Sequence, residues 1–126
     1  MASGAHEVTC PLAVVNLTST WSAGTPIALD PTTGAIQAVD PATGETKWKF
    51  EMVSPPSSGL LATAGGLIFS GNREGYFMAL DARTGKPLWK FRTGGVVIAP
   101  PITYLLNGKQ YVAVAAGDSL ITFALR

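Results

Sequence analysis

Two stretches of this chain read alike. Gly34-Ala-Ile-Gln-Ala38-Val-Asp40-Pro-Ala-Thr43-Gly44-Glu-Thr-Lys-Trp48-Lys-Phe50 is matched by Gly75-Tyr-Phe-Met-Ala79-Leu-Asp81-Ala-Arg-Thr84-Gly85-Lys-Pro-Leu-Trp89-Lys-Phe91. Eight of the 17 positions are identical, and each identity lies 41 residues from its twin. A period near 40 residues is the length of a four-stranded propeller blade.

The chemistry inside the repeat agrees with a blade. Ile36 to Asp40 and Tyr76 to Asp81 are short apolar runs suited to strands. Each ends in Asp-x-x-Thr-Gly. An Asp side chain accepts bonds from backbone amides just ahead of it, and Gly adopts positive φ, so the sequence predicts a tight turn. The strand that follows alternates. Trp48, Phe50 and Met52 point one way, and Lys47, Lys49 and Glu51 the other. Trp89 and Phe91 alternate in the same way with Leu88, Lys90 and Arg92. Period two with one charged side predicts a half-exposed outer strand.

Working outward, two hairpins appear. Leu60 to Ala64, Gly65-Gly66 and Leu67 to Gly71 form one. Pro101 to Leu106, Asn107-Gly108 and Gln110 to Ala116 form the other, with Leu120 to Leu125 as a further strand. The expected fold class is all-β, made of propeller blades that are four-stranded antiparallel sheets. The layout is a partial unit at 35–52, a complete unit at 60–92 and a three-strand unit at 99–125, about two and a half blades. Residues 1–33 fit the period poorly and are set apart from the repeats at 34–126. A second Ala-x-Asp-Pro-x-Thr-Gly run, Ala28 to Gly34, lies only ten residues before its twin, too close to hold a blade.

Composition narrows the function. Charged residues are 13% of the 126, hydrophobic residues 47%, and the net charge is +1. Disorder needs the opposite balance. With so little positive charge there is no basic field to attract nucleic acid, and no apolar run is long enough to span a membrane. Fourteen glycines and nine prolines oppose a helical bundle. The single Cys10 forbids an internal disulfide and a Cys-rich zinc site. Met1 to Cys10 carries no Lys or Arg, so no signal peptide is visible. His6-Glu7 reads as a solvated pair, Cys10 as a bystander without a His partner, and the Asn16-Leu-Thr18 sequon as a chance match. Asp40 and Asp81 sit in matched turns and read as capping residues rather than catalytic ones.

The Ala-x-Asp-x-x-Thr-Gly-x-x-x-Trp pattern resembles the tryptophan-docking motif of quinoprotein dehydrogenases, eight-bladed propellers that bind pyrroloquinoline quinone (PQQ). The resemblance extends through Leu61-Ala-Thr-Ala-Gly-Gly-Leu-Ile-Phe69, Leu88-Trp-Lys-Phe-Arg-Thr-Gly94 and Gly108-Lys-Gln-Tyr-Val-Ala-Val114. Together these look like the C-terminal end of a PQQ-dependent alcohol dehydrogenase. The resemblance implies that each Trp packs between the Ala of its own blade and the Gly peptide of the next. Ala38, Asp40, Thr43, Gly44 and Trp48, with Ala79, Asp81, Thr84, Gly85 and Trp89, are then the docking motif.

The resemblance also implies an alcohol or sugar substrate, PQQ, and calcium or a lanthanide. It implies a cytochrome c-type electron acceptor and a periplasmic location. The family's catalytic Asp, metal ligands and adjacent-cysteine disulfide lie upstream, and none can be placed here. The expectation is a C-terminal fragment, not catalytic alone, whose partners are the remainder of the propeller or further copies of itself. The alternative is a non-catalytic binding propeller or a self-assembling repeat protein. Strand topology puts Ser54 to Gly59, Asn72 to Glu74, Thr93 to Ile98 and Gly117 to Ser119 on the cofactor face. Ser58, Gly59, Gly117 and Asp118 are the candidate cofactor contacts. Ser57 stands where the family often has an aromatic residue, and Ala116-Gly117-Asp118-Ser119 replaces the family's Gly-Gly-Trp.

Overall fold

The computed structural model describes residues 13–17, 34–54 and 56–124. Every element among them is a strand: β1 (Ala13–Leu17), β2 (Gly34–Val39), β3 (Thr46–Met52), β4 (Leu61–Ala62), β5 (Leu67–Gly71), β6 (Tyr76–Asp81), β7 (Pro87–Arg92), β8 (Ile102–Leu106), β9 (Lys109–Ala116) and β10 (Ser119–Ala124). They form three antiparallel sheets: β1-β2-β3, β4-β5-β6-β7, and β8-β9-β10. The fold is a set of propeller blades, the middle one four-stranded.

The repeat carries down to its irregularities. Ala38 pairs with Trp48 and Ala79 with Trp89, and the register shifts after that Ala in both sheets. The Asp turns are near copies. Asp40 Oδ1 accepts the Ala42 N–H at 2.8 Å, and Asp81 Oδ1 accepts the Arg83 N–H at 2.8 Å. The Gly44 N–H reaches the Asp40 carbonyl at 2.7 Å, and the Gly85 N–H reaches that of Asp81 at 2.8 Å. Thr43 and Thr84 each accept the amide two residues on at 3.3 Å. The two turn glycines sit at φ 74° and 73°, which side chains disfavour.

Some details differ from expectation: β7 is exposed at every position rather than on one face. Strand β4 stops at Ala62 rather than Ala64, because the turn begins at Thr63: its carbonyl accepts the Gly66 N–H at 3.1 Å. Within the segment that fits the period poorly, Ala13–Leu17 pairs along β2, from Ala13 opposite Val39 to Leu17 opposite Ala35. His6, Glu7, Cys10, Thr18 and the Ala28 to Thr33 part of the extra motif lie outside the described residues.

The sheets stack face to face, and the core lies between them. Ile36, Ala38, Trp48 and Met52 of the first sheet meet Ile68, Met78 and Leu80 of the second. Phe77 from the other face of the second sheet meets Val97, Val112, Val114 and Ala116. The middle sheet is thus buried on both faces at β5 and β6, while β7 and β8 are exposed along their length. One end of the stack carries the Asp turns and the Gly66 and Asn107-Gly108 hairpins. The other carries the loops into β4, between β5 and β6, between β7 and β8, and between β9 and β10.

Candidate functional site

The Asp-turn end holds the repeat's most specific contact. The Trp48 indole packs against Gly85, the turn glycine of the next sheet, and a Cβ there would overlap the ring. Its N–H donates to the Ala82 carbonyl at 2.9 Å. The ring covers apolar area, the one polar atom is satisfied, and Trp48 is only 8% exposed.

Trp89 holds the matching position but meets different neighbours. Phe123 of the third sheet abuts it edge to face at 5.0 Å, and Phe77 and Phe91 lie at 6.0 Å. Among the described residues, no turn glycine lies under it, and it is 38% exposed. It borders a cleft of about 560 Å³ lined by Leu67, Phe69, Ala79, Val112 and Phe123.

At the opposite end, the four loops named from topology come together. Pro56 bridges Asn72, and Val97 bridges Ala116. The Ser57 hydroxyl donates to the Val97 carbonyl at 2.7 Å. The Val97 N–H reaches the Asn72 carbonyl at 3.2 Å, and the Gly117 N–H that of Val96 at 2.9 Å. Asn72 Oδ1 accepts the Tyr76 N–H at 3.0 Å. Thr93 Oγ1 lies 2.9 Å from the Gly75 carbonyl and 2.8 Å from that of Gly95.

Each candidate cofactor contact has a definite place there. Ser58 is buried at 3% exposure; its Oγ accepts the Gly71 N–H at 2.7 Å and lies 3.0 Å from the Gly59 carbonyl. Gly59 packs under Pro100, where a Cβ would stand 2.7 Å from the ring. Gly117 sits at φ 57° against Gly95. Asp118 is exposed. Sequence reasoning missed the bracing by Ser57, Asn72 and Thr93. The available signal was the habit of Ser, Thr and Asn in loops of bonding nearby backbone. Among the described residues no group of three or more His, Cys, Asp or Glu could hold a metal ion.

Blades with this repeat and this inter-sheet Trp contact define a propeller-repeat protein. A family model described as outer membrane protein assembly factor BamB matches residues 32–126, and the chain belongs to that family. Relatives of the chain include quinoprotein alcohol dehydrogenases. It is 46% identical over 84 residues to a quinoprotein ethanol dehydrogenase of Pseudomonas aeruginosa, covering 67% of this chain and 14% of that protein. The crystal structure of the quinohemoprotein alcohol dehydrogenase from Comamonas testosteroni superposes with a TM-score of 0.64 at 42% identity, over 68% of this chain and 13% of that one. A europium-containing methanol dehydrogenase gives 0.62 at 44% identity, over 64% and 14%. The chain thus spans about a seventh of the length of these relatives.

The loop face does not fit the quinone of such enzymes as a set of donors. PQQ is a flat, fused-ring tricarboxylic acid. The exposed ionisable side chains on these loops are Arg73, Glu74 and Asp118, one cation against two carboxylates. The loops 53–60, 72–75, 93–98 and 117–119 contain no aromatic ring to stack on it. The hydroxyls of Ser57, Ser58 and Thr93 are spent on backbone.

Proposed function

We propose that this chain is the C-terminal part of a PQQ-dependent dehydrogenase that oxidises an alcohol or sugar, contributing blade packing and the rim of the cofactor face. The observation that carries the reading is the 46% identity over 84 residues to a quinoprotein ethanol dehydrogenase. In such an enzyme PQQ would supply the hydride acceptor and a metal ion the Lewis acid. Calcium or a lanthanide would serve, held by residues outside this chain. The work of this chain is to hold its blades in register and to cover one side of the ring with closely packed loops. Ser58, Gly59, Gly117 and Asp118 belong to that rim. No proton or hydride step is assigned to any of its residues.

The partners follow from the same reading. The first is the remainder of the propeller, which meets the exposed apolar side chains of Ile102, Tyr104 and Leu106. The second is a cytochrome c-type electron acceptor in the periplasm. The non-catalytic binding propeller is the weaker reading, because the relatives near half identity are dehydrogenases.

The test is to read the coding sequence around these 126 codons and to titrate its product with PQQ and calcium. Further repeats of about 40 residues and an acidic active-site loop are expected, with saturable quenching of tryptophan fluorescence. A complete propeller that leaves PQQ unbound would overturn the proposal.

A further inference from the structure

We infer that the loop face is an inter-blade clasp, and that a quinone bound by the complete propeller takes no polar contact from Ser57, Ser58, Thr93 or Asp118. This rests on the dehydrogenase reading for the existence of the quinone, but not for the clasp.

The bonds at Val96 and Val97 join loops of successive blades, and Thr93 braces the segment that carries them. Ser57 leads into the second sheet, and its hydroxyl holds the Val97 carbonyl on the way into the third at 2.7 Å. Val97 is fully buried and returns its N–H to Asn72 in the turn between β5 and β6. Thr93, just past β7, lies against the carbonyls of Gly75 and Gly95. Gly117, between β9 and β10, donates to Val96. One chain of contacts therefore runs from the loop before β4 to the last hairpin.

Glycines let the backbones close. A Cβ on Gly71 would overlap the Val97 side chain, and one on Gly95 would stand 2.8 Å from the Gly117 nitrogen. The quinone's carboxylate and carbonyl oxygens can only accept, and they could take these hydroxyl protons only from the backbone carbonyls that hold them, which costs the desolvation of each abandoned group. Asp118 is exposed, but its charge repels a polycarboxylate.

The experiment uses the product of the whole reading frame that contains this chain. Equilibrium dialysis with PQQ and calcium is run on the parent, Ser58→Ala, Asp118→Asn, Ser57→Ala and Thr93→Val, alongside urea unfolding of each. The clasp predicts lowered unfolding midpoints for the three hydroxyl variants. It predicts PQQ affinity within about twofold of the parent for Asp118→Asn, and for the others once the folded fraction is counted. About tenfold weaker binding in Ser58→Ala or Asp118→Asn, at full folded fraction, overturns the exclusion. Unchanged midpoints in Ser57→Ala and Thr93→Val overturn the clasp. If the parent binds no PQQ, the dehydrogenase reading fails while the clasp is still decided by the unfolding midpoints.

Discussion

Trp48 and Trp89 stand at the same place in one repeat, yet one is shut away and the other is open. Both pair across the sheet with an alanine, and both precede a Lys and a Phe. The difference lies outside their own blades. Trp48 faces a sheet that has an Asp turn, so it finds a glycine for its ring and a carbonyl for its N–H. Trp89 faces a sheet of three strands, β8 to β10, and rests against Phe123 instead. A docking residue is therefore half of a contact, and the neighbouring blade supplies the other half.

The largest expected effect breaks this contrast directly. Trp48→Ala should cost about 3–5 kcal/mol in urea unfolding, the range for removing a buried aromatic. Trp89→Ala should cost about half as much, because part of its ring already meets water. Equal losses would mean that the Gly85 contact contributes nothing particular.

A pair of glycine variants sharpens the same point. Gly44 and Gly85 share φ, but among the described residues nothing lies within 4 Å of a Cβ on Gly44. Gly44→Ala should cost only the left-handed backbone penalty, about 1–2 kcal/mol. Gly85→Ala should cost about 1–3 kcal/mol beyond that, from overpacking against the Trp48 ring. Unfolding midpoints of the two variants, measured side by side, isolate the indole contact from the backbone term.

At the opposite end, Ser58→Ala leaves the buried Gly71 N–H without its acceptor. About 1–3 kcal/mol of destabilisation is expected. A value near zero would mean that the hydroxyl is not the anchor of that loop.

The smallest effect is on the outer strand of the first sheet. Lys47 is held above lysine's ordinary pKa, first by its hydrogen bond to Glu45 and then by that residue's charge. Stability from this pair is complete below the ordinary lysine pKa and is lost as pH rises through the raised one. Glu45→Gln should bring the Lys47 pKa down in an NMR titration and leave the neutral-pH melting temperature unchanged, since the pair is exposed. A shifted melting temperature at neutral pH would give the pair a structural role.

The strands and turns were legible because they rest on short-range rules. Alternation in Trp48 to Met52 needs only period two, and Asp-x-x-Thr-Gly bonds within itself. The loop face was legible as a set of loops, since antiparallel pairing forces alternate connections to opposite ends. What each loop side chain does was not legible. Ser58 reads in sequence as a loop hydroxyl, and it becomes a buried brace only because β5 runs beside it and offers the Gly71 N–H. The pairing of Ala13–Leu17 with β2 escaped for the same reason, having no repeat to announce it.

By itself, then, the sequence determined the blade, its turns and the residues that could dock, because local hydrogen bonding and periodicity are written over a few neighbouring positions. Only the tertiary structure decided that Trp48 is seated and Trp89 open, and that the loop hydroxyls turn inward. Those outcomes depend on partners 13 to 40 positions away along the chain, brought close by strand pairing and by the stacking of one sheet on the next.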